Sequence, residues 1–167
     1  MTLAIRPATP ADLPALIHGN SALARESELK KLDEPTLRLG IQNLLGDPHK
    51  GFYTVAESEG QIVGHMLVTF EYSDWRNGWY WWIQSVYVWP EFRRGGVFRG
   101  IFEHVKAMAL ADATVIGLRL YVERDNERAQ KTYVALGLEE EPYFLFGQYP
   151  LPGRSGTIEP TKLNADR

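Results

Sequence analysis

A glycine-rich loop flanked by arginines is the stretch of this sequence best suited to binding an anion. Residues 85–105 read SVYVWPEFRRGGVFRGIFEHV, in which an apolar strand is followed by two glycines and then by an amphipathic helix. Glycines let the backbone approach a ligand closely, and the first amides of a helix are free donors at the positive end of its dipole. Arg93, Arg94 and Arg99 add positive charge to a chain whose net charge is -3. The segment therefore predicts a site for the pyrophosphate of a nucleotide-bearing cofactor.

The loop does not match other phosphate-binding motifs. A Walker-type loop ends in Gly-Lys-Ser or Gly-Lys-Thr, whereas this loop continues as Gly-Val-Phe. The Gly-x-Gly-x-x-Gly spacing of dinucleotide-binding folds is also absent from the sequence. Separately, the sequence has no Gly-x-Ser-x-Gly elbow, which argues against a serine hydrolase. An ordinary tight turn with exposed arginines is the alternative, but it does not explain why cations gather where the helix dipole repels them.

A tyrosine on the predicted last helix could supply a proton. Asn126, Ala129 and Tyr133 are three and four residues apart, so they share one face of that helix. Ala129 is small and leaves room for a ligand, and a phenol with an ordinary pKa of about 10 can protonate a departing thiolate. The alternative is that Tyr133 is an amphipathic residue of the core.

Composition limits the class of protein. The 167 residues suffice for one domain, which we place at 1–149, followed by a loosely ordered tail at 150–167 that is rich in Pro, Gly and polar residues. A pI of about 5.8 argues against a general nucleic-acid binder. Because the sequence shows neither a signal-peptide pattern nor an apolar run of about 20 residues, we expect a cytoplasmic protein without a membrane span. The four histidines are scattered and cysteine is absent, so we predict no metal site and no cysteinyl acyl-enzyme.

Hydrophobic periodicity and turn residues predict alternating helices and strands. The predicted strands are 3–6, 52–57, 62–72, 79–88, 118–122 and 143–146, with a short one before the last at 138–141. The predicted helices begin at Thr9, near Pro35, after Gly96 and at Asp125 or Asn126. The polar segment 21–33 is predicted to be irregular or frayed.

The strand at 79–88 is predicted to be central in the sheet. Strict alternation places one set of its side chains on a single face: Trp79, Trp81, Ile83, Ser85 and Tyr87. Because both faces are mostly apolar, we expect both to be covered.

The order of elements and two motifs resemble the GNAT superfamily, the Gcn5-related N-acetyltransferases, over roughly residues 3–148. The family signature Arg/Gln-x-x-Gly-x-Gly/Ala is matched by RRGGVF at 93–98, where Phe98 stands in place of the usual small residue. The second landmark is matched by NERAQKTYVALG at 126–137. The resemblance implies an α/β fold whose mixed, mostly antiparallel sheet is splayed between strands 4 and 5 and is flanked by about four helices.

The resemblance also implies an acetyl-CoA site. In such proteins the pantetheine arm lies between the splayed strands, loop amides hold the pyrophosphate, Asn126 contacts the arm and Tyr133 faces the sulfur. The cofactor-binding residues implied in this way are Val86, Tyr87, Val88, Arg93, Arg94, Gly95, Gly96, Val97, Phe98, Arg99, Asn126, Ala129 and Tyr133.

An attacking amine must lose a proton. The candidate bases are Glu71 and Asp74, which follow the strand expected to border the acceptor pocket, and Glu26 and Glu28 between the first two helices, a segment that commonly lines this pocket in the superfamily; of these we take Glu71. The alternatives are that Glu71 is a solvated surface acid and that water relays the proton from backbone carbonyls. The candidate acceptor-binding residues are Glu28, Glu71, Trp75 and Gln84. Acids in these segments favour a cationic acceptor, either a small-molecule or a peptide amine.

Together these expectations describe an enzyme that transfers an acetyl group from acetyl-CoA to a primary amine by direct attack in a ternary complex. Two other functions stay open: a non-catalytic acyl-CoA sensor, and a protein-interaction module that uses the aromatic patch. The sequence leaves the amine unidentified. It also leaves open a homodimer, which is frequent in the superfamily.

Overall fold

The computed structural model describes residues 2–154, which form one sheet with helices on both faces. The strands are β1 (Ala4–Pro7), β2 (Phe52–Ser58), β3 (Gln61–Ser73), β4 (Gly78–Val88) and β5 (Val115–Leu120). The α-helices are α1 (Leu13–Glu28), α2 (Glu34–Leu45), α3 (Val97–Ala111) and α4 (Glu127–Ala135).

The strands lie side by side in chain order, from β1 to β5. The first three pairings are antiparallel, and β4 pairs with β5 in parallel. The parallel pair requires a long crossover, which α3 supplies between the two strands. This mixed, mostly antiparallel sheet with four helices confirms the predicted fold class.

A bulge interrupts the pairing of β3 with β4. Leu67 lies opposite Ser85 and Val68 lies opposite Ile83, so Gln84 is an extra residue in β4. A bulge of this kind bends the strand and shifts the alternation of its side chains by one position.

The bulge makes the prediction of strict alternation in β4 wrong beyond Ile83. Trp81 and Ile83 belong to the core beneath α3, and Val86 and Val88 pack against that same core. Tyr87 faces the opposite side of the sheet, where its hydroxyl reaches a side chain of α1. One inserted residue thus sends the two ends of the predicted face to opposite sides.

Two apolar cores hold the helices against the sheet. On one face, α3 buries a stripe of five residues: Val97, Ile101, Phe102, Val105 and Ala109. On the other face, Leu16 and Ile17 of α1 and Ile41 of α2 pack against Tyr53 and Val55 of β2. None of the helices among residues 2–154 is long and apolar enough to cross a membrane.

Helix α1 extends further than the sequence predicts. The segment 21–33 was expected to be irregular or frayed, but α1 continues through its first part to Glu28 and ends at Leu29, whose φ of 53° is left-handed. Ala22 and Ala24 are buried within this part of α1, so tertiary packing stabilises a stretch that its polar composition disfavours. The helix α2 begins after Asp33, whose side chain accepts a hydrogen bond from the amide of Thr36 at 2.9 Å.

The predicted strands at 138–141 and 143–146 are wrong. No strand follows α4 among the described residues, which end at 154. Tyr143, Phe144, Leu145 and Phe146 are between 72% and 89% exposed. A run of aromatic residues forms a strand only where a neighbouring strand pairs with its backbone, and the described part of the chain provides none. The expected loose tail at 150–167 lies mostly outside the described residues.

A histidine is buried between α1 and the sheet, and its ring forms no hydrogen bond within the described residues. His65 of β3 has no exposed surface, and neither ring nitrogen has a partner within the described part of the chain. Its neighbours are the rings of Tyr53, Tyr87 and Trp89, at centroid distances of 5.7, 6.4 and 6.1 Å. The ring fits because residue 19 of α1 is glycine; a Cβ there would lie 2.3 Å from His65 Nε2. This burial lowers the pKa of His65 to about 3.

We expect His65 to make the fold sensitive to acid. Above pH 6.5 the ring is neutral in both the native and the unfolded state, so its ionisation does not affect stability; below pH 6.5 the unfolded chain takes up a proton that the native state does not. The free energy of unfolding should then fall by about 1.4 kcal/mol per pH unit towards pH 3. In urea titrations from pH 7 to pH 4, His65→Leu should lose this component. The exposed His49→Leu should keep it, and parallel pH profiles of wild type and His65→Leu would contradict the assignment.

Candidate active site

An unpaired edge of β4 opens a gap in the sheet. The parallel pairing of β4 with β5 ends at Ile83 and Leu120, while β4 continues to Val88. The backbone at 84–88 therefore has no strand on that side within the described chain. Val86 and Val88, which were predicted to contact the pantetheine arm, lie along this stretch. An extended ligand could bind there by the hydrogen bonds that a strand would make.

The glycine-rich loop directly follows the gap and begins α3. Gly96 has a φ of 81° and Arg94 a φ of 66°, so the chain passes through two left-handed residues before the helix. The first helical bond of α3 is donated by the amide of Gly100 to Gly96 O, at 2.9 Å. The amides of residues 97–99 precede that bond and are the free donors expected at a helix start. The side chains of Arg94 and Arg99 form no ion pair within residues 2–154, so both remain available for an anion.

Arg93 is not free in the same way. Its Nη2 donates to Glu26 Oε2 at 2.7 Å, and its Nε donates to Val88 O at 2.9 Å. The other oxygen of Glu26 accepts a hydrogen bond from the Tyr87 hydroxyl at 2.7 Å. Glu26 of α1 thus fixes the first residue of the loop to the end of β4. Arg93 was predicted to bind the cofactor; the structure shows it engaged with the protein itself.

The two titratable partners of this network are shifted in opposite directions. The hydrogen bond from Tyr87, assisted by Arg93, lowers the pKa of Glu26. Burial, together with the hydrogen bond to the Glu26 carboxylate, raises the pKa of Tyr87 to about 12. At neutral pH the network therefore consists of a carboxylate, a phenol and a guanidinium, and it does not change charge.

Tyr133 lies on the loop side of α4. Its ring packs edge-on against Phe98 in the first turn of α3, with a centroid distance of 5.9 Å. Burial raises the pKa of the Tyr133 phenol, so it keeps its proton at neutral pH. The hydroxyl has no hydrogen-bond partner within residues 2–154. Asn126 caps this helix, because its Oδ1 accepts from the amide of Ala129 at 3.1 Å.

A basic cleft continues from the loop between α3 and α4. It has a volume of about 660 Å³, and its lining includes Phe98, Arg99, Arg128 and Lys131. Lys131 pairs with Glu127, which also lines the cleft, at 3.2 Å, so Arg99 and Arg128 are the cations that could bind a further phosphate of a nucleotide whose pyrophosphate lies on the loop.

The sheet face opposite to α3 carries a cluster of charged and aromatic side chains, which we call the acceptor face. Its members are Glu71, Tyr80, Trp82, Arg119, Tyr121 and Glu141. Glu71 accepts hydrogen bonds from Trp82 Nε1 and, at 2.8 Å, from Arg119 Nη1. Both oxygens of the candidate base are therefore engaged. Sequence reasoning identified neither Arg119 nor Glu141, since a strand arginine and a loop glutamate carry no motif.

The remaining predicted acceptor residues do not converge on one point. Gln84 sits in the bulge and donates to Thr69 Oγ1 at 2.8 Å. Glu28 at the end of α1 pairs with Lys30. Trp75 is 89% exposed in the turn between β3 and β4. The described residues contain no cluster of three or more acidic or histidine side chains that could hold a metal ion.

Comparison with known proteins identifies the family. The model of the acetyltransferase (GNAT) family matches residues 18–138, a range that contains the gap, the loop and α4. The chain belongs to the GNAT family. It is 38% identical over 79 residues to the thialysine N-epsilon-acetyltransferase of Bos taurus, a match that spans 47% of this chain and 45% of that protein. The chain thus spans about half the length of that curated relative.

Solved structures extend the likeness to most of the chain. A structure described as a possible acetyltransferase from Clostridium difficile 630 is 39% identical, with a TM-score of 0.84 over 90% of this chain and 99% of that one. An aminoglycoside N-acetyltransferase solved in complex with CoA is 17% identical, with a TM-score of 0.75 over 90% and 96% of the two chains. At that identity the second match shows the GNAT fold alone.

Proposed function

We propose that this GNAT protein is an N-acetyltransferase that moves an acetyl group from acetyl-CoA to a primary amine. The proposal rests on the loop at the start of α3, which follows the gap beside β4, has free amides and two arginines without an ion pair within residues 2–154, and contacts Tyr133 through Phe98. The residues present fit a nucleotide thioester. The loop suits a pyrophosphate, the free edge of β4 suits an extended amide-bearing arm, and the basic cleft suits an additional phosphate.

Each group of residues has a stated task in this proposal. Acetyl-CoA supplies the acyl group as a thioester. The backbone of 84–88 orients the arm, and amides at the gap stabilise negative charge that develops on the carbonyl oxygen. Tyr133 holds the proton for the departing sulfur, and its raised pKa keeps that proton in place until it is needed. The amine attacks the thioester directly, and no cysteinyl intermediate forms because the chain has no cysteine.

The acceptor is an amine that approaches from the acceptor face. The names of similar proteins include a thialysine and an aminoglycoside acetyltransferase, both of which act on amines. Glu71 remains our candidate base. Its two oxygens accept hydrogen bonds from Trp82 and Arg119, and each oxygen keeps a second lone pair on which it could take the proton of the amine.

An acceptor screen tests the function directly. Purified protein, acetyl-CoA and a panel of amino acids, polyamines, aminoglycosides and peptide N-termini are incubated, and free thiol is read with a chromogenic reagent. Because the protein has no cysteine, it contributes no thiol of its own to the assay signal. We expect thiol release with at least one amine class. Binding of CoA by calorimetry without turnover on any amine would favour the sensor, and no binding of CoA would favour the interaction module.

A further inference from the structure

Arg119 presents a guanidinium on the acceptor face beside the opening of the gap. It is the residue of β5 just before Leu120, where the pairing of β4 with β5 ends. Its side chain is only 20% exposed, and its guanidinium lies 3.7 Å from the centre of the Tyr80 ring. The Trp82 ring, whose centre lies 5.9 Å from this guanidinium, stacks on the Tyr121 ring with their centroids 4.4 Å apart. A half-buried guanidinium between aromatic walls is well suited to recognise a planar anion.

The anion that occupies this site is the carboxylate of Glu141. Arg119 Nε donates to Glu141 Oε1 at 3.1 Å and Nη2 donates to Glu141 Oε2 at 3.0 Å, which is a bidentate fork. Nη1 on the third side is held by Glu71 at 2.8 Å. The fork therefore already binds one carboxylate in the geometry that a carboxylate ligand would use.

Apart from this fork, the Glu141 side chain forms no hydrogen bond or ion pair within residues 2–154. Its side chain is 47% exposed, and the apolar residues that follow it at 143–146 project into solvent. Ion pairs with this much exposure contribute little to stability. Exchanging Glu141 for another carboxylate leaves the charge next to Arg119 unchanged, so the exchange does not expose an unpaired guanidinium.

We propose that Arg119 binds the carboxylate of an amino-acid acceptor and that Glu141 occupies this fork until the acceptor arrives. The inference rests on the proposed acetyl transfer, because the acceptor must present its side-chain amine to the thioester in the adjoining gap. It narrows the substrate from primary amines in general to amino acids that carry a free carboxylate. The alternative is that the Arg119–Glu141 pair only fastens the segment after α4 to β5.

Amino acids and their decarboxylation products provide a matched test. Lysine and cadaverine, and likewise ornithine and putrescine, differ only by the carboxylate. For wild type we expect kcat/KM to favour the amino acid of at least one pair, mainly through KM. In Arg119→Gln that preference should fall roughly tenfold or more, as expected for losing a bidentate charge-assisted contact. Equal kcat/KM for the members of both pairs in wild type would overturn the inference and leave acetyl transfer intact.

Two variants separate the fork from simple charge. Arg119→Lys keeps the charge but not the planar fork, so it should recover little of the preference. Arg124→Gln removes an exposed cation five residues further along the chain, over the Phe144 ring, and should keep the wild-type preference. Full recovery by Arg119→Lys, or an equal loss in Arg124→Gln, would show that only the local field matters and would overturn the fork.

Removing the Glu141 charge distinguishes a carboxylate that competes with the acceptor from an ion pair that only fastens the segment after α4 to β5. If Glu141 competes with the acceptor carboxylate, Glu141→Gln should lower KM for the amino acid several-fold relative to KM for the diamine, whereas Glu139→Gln should leave the ratio of the two KM values at its wild-type level. If the pair is only a fastening, Glu141→Gln should lower the melting temperature and leave both KM values as they were, which would overturn the proposal.

A binding experiment keeps the two proposals distinguishable. Calorimetry of lysine and cadaverine with the protein–CoA complex reports on the fork without turnover. Preference for lysine that disappears in Arg119→Gln would support the fork even if no amine were acetylated, in which case the proposed transfer would fail alone. Equal binding of both compounds, or none of either, would overturn the fork.

Discussion

Replacing Tyr133 by phenylalanine is expected to lower kcat by about two to three orders of magnitude, with little change in the affinity for acetyl-CoA. The phenylalanine ring can keep the edge-on contact with Phe98, so the shape of the site is preserved. What is lost is the proton that the raised pKa retains on the phenol at neutral pH. Steady-state kinetics with a good acceptor and calorimetry with CoA measure the two quantities separately.

The pH dependence gives this prediction a second readout. Since burial moves the pKa of Tyr133 upward from 10, wild-type kcat should not decline on account of this group until the pH exceeds 10. That alkaline decline should be missing from the Tyr133→Phe variant. Tyr143→Phe, which alters a tyrosine that is 78% exposed, provides the matched control. A kcat within twofold of wild type in Tyr133→Phe would remove the acid role from this residue.

The second large effect is expected at the loop, where the double variant Arg93→Ala with Arg94→Ala should weaken CoA binding roughly 10- to 100-fold. The structure assigns the two arginines different parts of this loss. Arg94 is exposed and unpaired within the described chain, so its removal deletes a direct charge. Arg93 is held by Glu26 and Val88, so its removal loosens the loop whose amides do the binding.

Salt dependence separates these two parts. Calorimetry across a range of ionic strengths should show a shallower salt dependence for Arg94→Ala, because a screened contact to phosphate has been removed. Arg93→Ala should weaken binding with the slope retained. Glu26→Gln should reproduce the Arg93→Ala effect, and combining the two should add little, since both break one network. Arg38→Ala on α2 is the control. Unchanged affinity in the double variant would overturn the assignment of the loop.

Much of this fold follows from local features of the sequence. The first four strands lie within one residue of the bounds predicted from their patterns, and α3 begins directly after Gly96 as predicted. The exceptions involve contacts with distant parts of the chain. Buried alanines extend α1 to Glu28, and the absence of a neighbouring strand leaves 143–146 unpaired. In both cases tertiary context overrides local propensity.

The candidate site divides along the same line. Spacing alone is enough to place Ala129 and Tyr133 on one face of α4, after the cap residue Asn126, and to begin a helix after Gly96, because these relations span only a few residues of regular backbone. The partners of Arg93 and Arg119 lie 67 and 22 residues away in the chain, at Glu26 and Glu141. Which of many charges meet over such separations depends on strand register, on the bulge at Gln84 and on the path after α4. Those are properties of the assembled sheet, and no local pattern encodes them.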